Sequence, residues 1–372
     1  MDGSLSFGLV YDDRMLLHDT GRVQQTLPDG TPFEGVEHHS SASILKRTHA
    51  LVVASGFAAK CTAVPCREAT EDQLTMFHTR DYVAAVRRIS EGGGGSAGDS
   101  APLSLGSYGA ALLASGAAMA AVDAVLDGRV RAAYAMIRPP GHHALAGAGM
   151  GYCVFNNIAV AARYAQRRGA RRPMIVDWDV HHGNGTQAAF YEDQSVLFLS
   201  LHQESWYPAA SGSLDQVGAD VGIGSTINIP LPAGSGDRAY LEAFDRLIVP
   251  AARRFQPDLL LVSAGQDAAM FDPLGRMMLT MDGFHALGLR ARALAEQMCG
   301  GRLVLVQEGG YSLPYAPFCA LGTLCGAAGA SLPVPDPYAG SSEIDLARSI
   351  FTHDSEKAIR DAVQAHARYL DA

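Results

Sequence analysis

Charge is scarce in this chain: Asp, Glu, Lys and Arg make up 18% of its 372 residues, alongside only two tryptophans and six cysteines. Each shortage excludes something. Disorder requires low hydrophobicity and high charge, and a hydrophobic content of 48% is the opposite balance. Cys61, Cys66, Cys153, Cys299, Cys319 and Cys325 form no Cys-x-x-Cys pair and no framework spacing, so free thiols in a reducing compartment are expected. Lys and Arg number 29 against 38 Asp and Glu, a net charge of -9 that argues against nucleic acid as partner. Asp2 stands where a secretory leader would be basic, and no uninterrupted run of about 18 apolar residues appears. The expectation is a cytoplasmic protein with no membrane partner; whether it forms a homo-oligomer stays open.

What is abundant is glycine, 40 residues, and short β-branched runs that alternate with longer alanine-rich stretches. This alternation is the mark of βαβ units and a mainly parallel α/β sheet. Expected strands are Ser6–Val10, Ala133–Ile137, Met174–Asp177, Val196–Leu201, Thr226–Ile229, Leu259–Ser263 and Leu303–Gln307. Expected helices are Ser107–Leu126, Phe155–Arg168, Arg238–Phe255, Gly283–Met298 and a C-terminal stretch over Ser342–Tyr369. With no internal repeat and no long linker, residues 1–372 read as one domain, and Glu91–Ser100 (EGGGGSAGDS) as a flexible surface loop or lid.

Four expected strands run straight into polar clusters: IRPPGHHA, VDWDVHHGNG, VSAGQDAAMFDP and VQEGGYS. In parallel sheets ligands gather beyond the carboxyl ends of the strands. In DWDVHHGNG, residues two apart share a side, so Asp179 and His181 can offer an oxygen and a nitrogen to one ion, with Asp177 beside them. A solvated loop with chance histidines is the plain alternative. Asp267, from another strand end, completes a set of two oxygens and one nitrogen with a position left open, the composition of a catalytic zinc site; iron(II) or cobalt(II) could substitute. The tandem His142–His143 follows a turn stiffened by Pro139 and Pro140, and suits an acid and base for metal-assisted hydrolysis. Asp177 and Asn184 can set the tautomers of the pair. Tyr311, after Gly309 and Gly310, can polarise a carbonyl, although a tyrosine there alone would more often be packing.

Taken together, RPPGHHA, GYCVFNNIA, DWDVHHGNGTQ, SAGQDAAMFDPLG and QEGGYS resemble the histone deacetylase family, in particular its class II branch and bacterial histone deacetylase-like amidohydrolases. The resemblance runs from about Phe7 to about Gly326. It implies the arginase/deacetylase fold, a central eight-stranded parallel sheet with helices on both faces. It implies zinc held by Asp179, His181 and Asp267. His142 and His143 become the catalytic pair, with His143 the proton shuttle, Asp177 behind His142 and Asn184 behind His143 where class I relatives carry Asp. Tyr311 becomes the carbonyl-binding phenol, with Tyr152, Tyr207, Gly151 and Gly309 along the acyl tunnel and Asp99 at its rim. Potassium is implied at Asp177, Asp179, His181, Ser200 and Leu201, and again at Phe190, Asp193, Val196 and Ser225. The implied substrate is an acylated lysine peptide or an acylated small amine. An acetylpolyamine amidohydrolase is the nearest rival, and a non-catalytic acyl-ligand binding protein a more distant one. Two departures stand out. Gln266 replaces the usual Phe, which predicts a more polar pocket floor. EHHSSASILKR replaces the usual proline-containing segment, and His38 and His39 within it read as solvated.

Overall fold

The computed structural model describes residues 5–370. Its frame is an eight-stranded sheet of β1 (Phe7–Val10), β2 (Thr62–Ala63), β3 (Ala132–Ala135), β4 (Pro173–Asp177), β5 (Leu197–Gln203), β6 (Thr226–Leu231), β7 (Leu259–Ala264) and β8 (Leu303–Gln307). The order across the sheet is β6-β5-β4-β7-β8-β3-β1-β2, and every pairing is parallel. The seven expected strands all belong to it. The eighth, β2, is two exposed residues at the edge, too short for any hydrophobic pattern to announce it. Strands β3, β4, β7 and β8 are buried along their whole length, as continuous apolar runs covered on both faces must be.

The helix Ser107–Leu126 is long and apolar enough by composition to cross a bilayer, although Ser115 and Asp123 interrupt its apolar run. It is the central helix on one face, packed on β1, β3 and β8 and buried over most of its length. A helix apolar on every side is one that sits inside a core. Two other expected helices are interrupted. The 237–255 stretch carries a π-helical segment at Phe244–Ile248. The C-terminal stretch is two helices, Ser342–Ser349 and His353–His366, each opened by a hydroxyl cap, from Ser341 and Thr352.

The glycine-rich segment is a paired strap rather than a free loop. Gly94–Ser96 pairs with Pro102–Ser104, and Gly98–Asp99 pairs with Gly149–Met150. An antiparallel ribbon, Arg22–Thr26 with Pro32–Glu37, is a further element that the sequence pattern did not announce. Its residues are almost all exposed, so no alternation of buried and exposed positions marks it.

Candidate active site

Because β4, β7, β8 and β3 are adjacent and parallel, their carboxyl ends open onto one edge of the sheet. The four polar clusters therefore meet there. Asp179 and His181 follow β4, Asp267 follows β7, and ligand atoms of the three lie within 4.8 Å of one another. His181 Nδ1 is 3.0 Å from Asp179 Oδ1 and 3.1 Å from Asp267 Oδ2. Backbone amides fix the carboxylates: Gly309 N–H donates to Asp179 Oδ2 at 2.8 Å and Val180 N–H to Asp267 Oδ1 at 2.9 Å. Burial opposes charge on His181, yet its hydrogen bonds to Asp179 and Asp267 outweigh that and raise the imidazole to about 10. Asp267 is pushed up to about 6 by burial and by the charge of Asp179. Two buried carboxylates around one imidazole demand a positive charge at this point, and the donor set of two oxygens and one nitrogen fits a catalytic divalent metal.

The histidine pair stands beside this cluster, its rings 4.0 Å apart between centroids, in two different environments. His142 Nδ1 bonds Asp177 Oδ2 at 2.9 Å, and its Nε2 lies 3.7 Å from Asp179 Oδ1. Burial lowers its basicity, but Asp179 and Asp177 more than offset this and hold it well above the ordinary imidazole value. His143 Nδ1 meets the Asn184 side-chain oxygen at 2.7 Å, which leaves Nε2 as the basic nitrogen. Burial, with His142 and His181 adding to it, holds His143 well below the ordinary value.

A cavity of ≈ 400 Å³ leads to the cluster, and His143, His181, Gly151, Tyr152, Tyr207 and Tyr311 line it. The ring of Tyr207 stands edge-on to His143 at 5.1 Å and to His181 at 5.9 Å; that of Tyr152 stands edge-on to Tyr311 at 5.7 Å. Gly151, at φ +53°, is where the wall comes closest: a Cβ would meet His143 Cδ2 at 2.5 Å. Asp99 is exposed at the rim, and its backbone oxygen accepts from Gly151 N–H at 3.0 Å.

Several residues about the cavity escaped the sequence reading. Glu308, buried at the end of β8, accepts from the amides of Gly141 at 2.7 Å and His142 at 3.1 Å. Burial pushes it up to about 8. Asp272 accepts from Tyr311 N–H at 2.7 Å and Leu274 N–H at 2.8 Å, and burial, followed by the charge of Asp267, raises it to about 8. Both lie within the quoted motifs, and a carboxylate in an apolar strand-end context was the available signal. Pro273 and Leu274, next to Asp272 in the same motif, and Trp206 and Arg276, from loops with no such signal, complete the mouth. His38 is not simply solvated: its ring packs against Tyr152 at 4.6 Å. Gln266 does not line the cavity. Its side-chain amide bonds the oxygen of Ala264 at 2.5 Å, so the polar floor expected from it is absent.

The potassium candidates fall into two groups. Asp177 and Ser200 are register partners on β4 and β5, and Ser200 Oγ bonds His202 Nδ1 at 3.0 Å. In the second group the Asp193 carboxylate is already bonded to Ser195 and Arg163, and Phe190 oxygen accepts from Asp193 N–H.

An Asp-His-Asp cluster that could hold a metal ion, beneath a histidine pair at the carboxyl edge of a parallel eight-stranded sheet, is the arrangement of a hydrolase of the arginase/deacetylase fold. Residues 38–325 match the histone deacetylase domain model. A histone deacetylase-like amidohydrolase of Pseudomonas aeruginosa is 41% identical over 345 residues, covering 92% of this chain and 91% of that protein. A probable deacetylase of Archaeoglobus fulgidus is 43% identical over 269 residues, 72% of this chain and 74% of its own length. The crystal structure of the HDA15 HD domain superposes with a TM-score of 0.85 at 33% identity, over 99% of this chain and 96% of that one. The chain belongs to the histone deacetylase family.

Proposed function

We propose that the protein is a zinc-dependent amidohydrolase that removes acetyl or related acyl groups from N-acylated lysine side chains or small amines. The observation that carries this reading is the Asp179–His181–Asp267 cluster lying under a cavity that His143 and Tyr311 also line. Zinc held by those three residues would supply Lewis acidity toward the acyl carbonyl and toward water.

The chain's own groups account for the rest. His142, charged between Asp177 and Asp179, orients the attacking water and steadies negative charge as it develops. His143 is neutral at rest, so its Nε2 accepts the water's proton and then delivers it to the departing amine. Tyr311 stays a phenol, because burial and the nearby Asp267 and Asp179 hold it well above the ordinary value, and its O–H donates to the carbonyl oxygen. Tyr152 and Tyr207 form apolar walls for a neutral acyl arm. We place potassium at two sites, one among Asp177, Asp179, His181, Ser200 and Leu201 and one among Phe190, Asp193, Val196 and Ser225, with one catalytic domain over residues 1–372 and the protein in the cytoplasm.

Zinc analysis with a panel of acetyl, trifluoroacetyl and longer acyl-lysine substrates, set beside acetylputrescine, tests the reading. Zinc-dependent release of carboxylic acid is expected. Turnover undiminished by chelation, or preference for acetylputrescine, would overturn the zinc or the lysine assignment respectively.

A further inference from the structure

The mouth of the cavity holds an unpaired cation. Arg276 lines the same cavity as His143 and Tyr311, and it is the one Asp, Glu, Lys or Arg side chain that does so among the described residues. It is exposed and forms no ion pair within those residues. Its place is nevertheless fixed. One guanidinium nitrogen donates to the oxygens of Gly275 at 2.7 Å and Pro273 at 3.1 Å, and its own amide donates to Gln203 at 2.8 Å. The guanidinium stands 5.3 Å from the ring of Trp206, whose Nε1–H in turn bonds Leu274 oxygen at 2.7 Å. Nε and the second terminal nitrogen of Arg276 keep free donors. A preorganised guanidinium with an unused fork is the arrangement that binds carboxylates in pairs of hydrogen bonds. In a chain of net charge -9, this cation stands at the mouth without an ion-pair partner, with the exposed Asp99 as the carboxylate of the same rim.

We propose that Arg276 is a specificity residue that selects substrates bearing a carboxylate next to the acylated side chain, and that it disfavours cationic polyamines. This deepens the proposed deacylation and rests on it. Two sources of that carboxylate share the chemistry: the α-carboxylate of a free or C-terminal acyl-lysine, and an acidic residue beside an acyl-lysine within a peptide.

The test compares matched substrates with the intact enzyme: Nε-acetyl-lysine ending in a carboxylate or a carboxamide, and an acetyl-lysine peptide with Glu or Gln as neighbour. The wild type should favour the charged member of at least one pair by about fivefold in kcat/KM, the worth of a well-placed exposed ion pair. The preference should shrink toward unity in salt of about 0.5 M. The pair that responds identifies the source. Arg276→Gln, which keeps a donor for the Gly275 oxygen, should collapse the ratio, and Arg276→Lys should restore part of it. Arg276→Glu should invert it and raise the relative rate on acetylputrescine. Equal rates within both pairs, or a ratio that survives in Arg276→Gln, would overturn the inference. If no acyl-lysine is hydrolysed, deacylation fails instead; calorimetric binding of the same pairs then still reads the rim, and equal affinities would sink the rim role.

Discussion

At the floor of the cavity Asp179, His181 and Asp267 stand directly on the ends of neighbouring strands, with amides of Val180 and Gly309 bonded to their carboxylates. At the mouth, Tyr152, Trp206 and Arg276 stand on loops, steadied by aromatic contacts and by hydrogen bonds to backbone oxygens. The floor is buried and electrostatically dense, so any change there leaves a charge without its counterpart. The mouth is half open to water, where each contact is worth less and can be exchanged. In the proposed function, chemistry falls where the backbone is fixed by the sheet, and choice of substrate where it is not.

The sharpest way to break this contrast is at the floor. Asp267→Ala removes one of two carboxylates around His181, and loss of both bound zinc and turnover is expected, read by metal analysis and acetate release. Retention of stoichiometric zinc would show that Asp267 is no ligand. Next in size is Tyr311→Phe, which deletes one donor to the developing oxyanion; kcat should fall by about 10²–10³ with zinc content intact. Full activity in that variant would end the role of Tyr311.

The two histidines sharpen the contrast within the floor itself. Asn184 cannot ionise, and His143 is held below the ordinary imidazole value. Asn184→Asp would place a carboxylate 2.7 Å from Nδ1 and raise the basicity of His143. The acid limb of the kcat/KM profile should then move to higher pH by about 1–2 units, costing activity at pH 6. An unmoved limb would mean that His143 is not the base.

How much of this could be read in advance follows the same division. Seven of the eight strands, the sheet class and the triad were legible because buried parallel strands are continuous apolar runs, and charged residues at their ends need a reason to be there. The edge strand Thr62–Ala63 carries two exposed residues and left no pattern. Glu308 lay inside a motif that drew notice for its tyrosine, yet its partners are amides 166 and 167 positions away, which no local pattern reports. Arg276 and Trp206 meet only through the folding of two loops. The glycine strap misled for a physical reason. Four consecutive glycines look flexible, but Gly94 lets the backbone run close beside another segment, where a Cβ would meet the Leu103 oxygen at 2.6 Å.

A stability measurement tests Glu308. Its carboxyl is raised from the ordinary 4.5 to about 8, so the folded state holds this proton more tightly than the unfolded chain does. The sign follows: the contribution is complete below pH 4.5 and is lost as pH rises through about 8. Glu308→Gln keeps an acceptor for Gly141 and His142 without the titration. Its Tm should match the wild type near pH 5 and exceed it near pH 9, by about 1 °C for each kcal/mol in a chain of this length. Parallel Tm curves across that range would show that Glu308 does not titrate as its burial demands.

The smallest effect belongs to the mouth. Gly98 lies against Gly149 so closely that a Cβ would collide with the Gly149 oxygen, so Gly98→Ala must part the strap from residues 149 and 150. The adjoining bonds from Gly151 and Tyr152 to Asp99 and Ser100 are what hold the tunnel wall to the strap. Loosening them should raise KM severalfold for a lysine-based substrate while kcat and zinc content stay near wild type, because the floor is anchored to strands the strap does not touch. A comparable fall in kcat would mean that wall and floor are one mechanical unit, and the division drawn between them would have to be withdrawn.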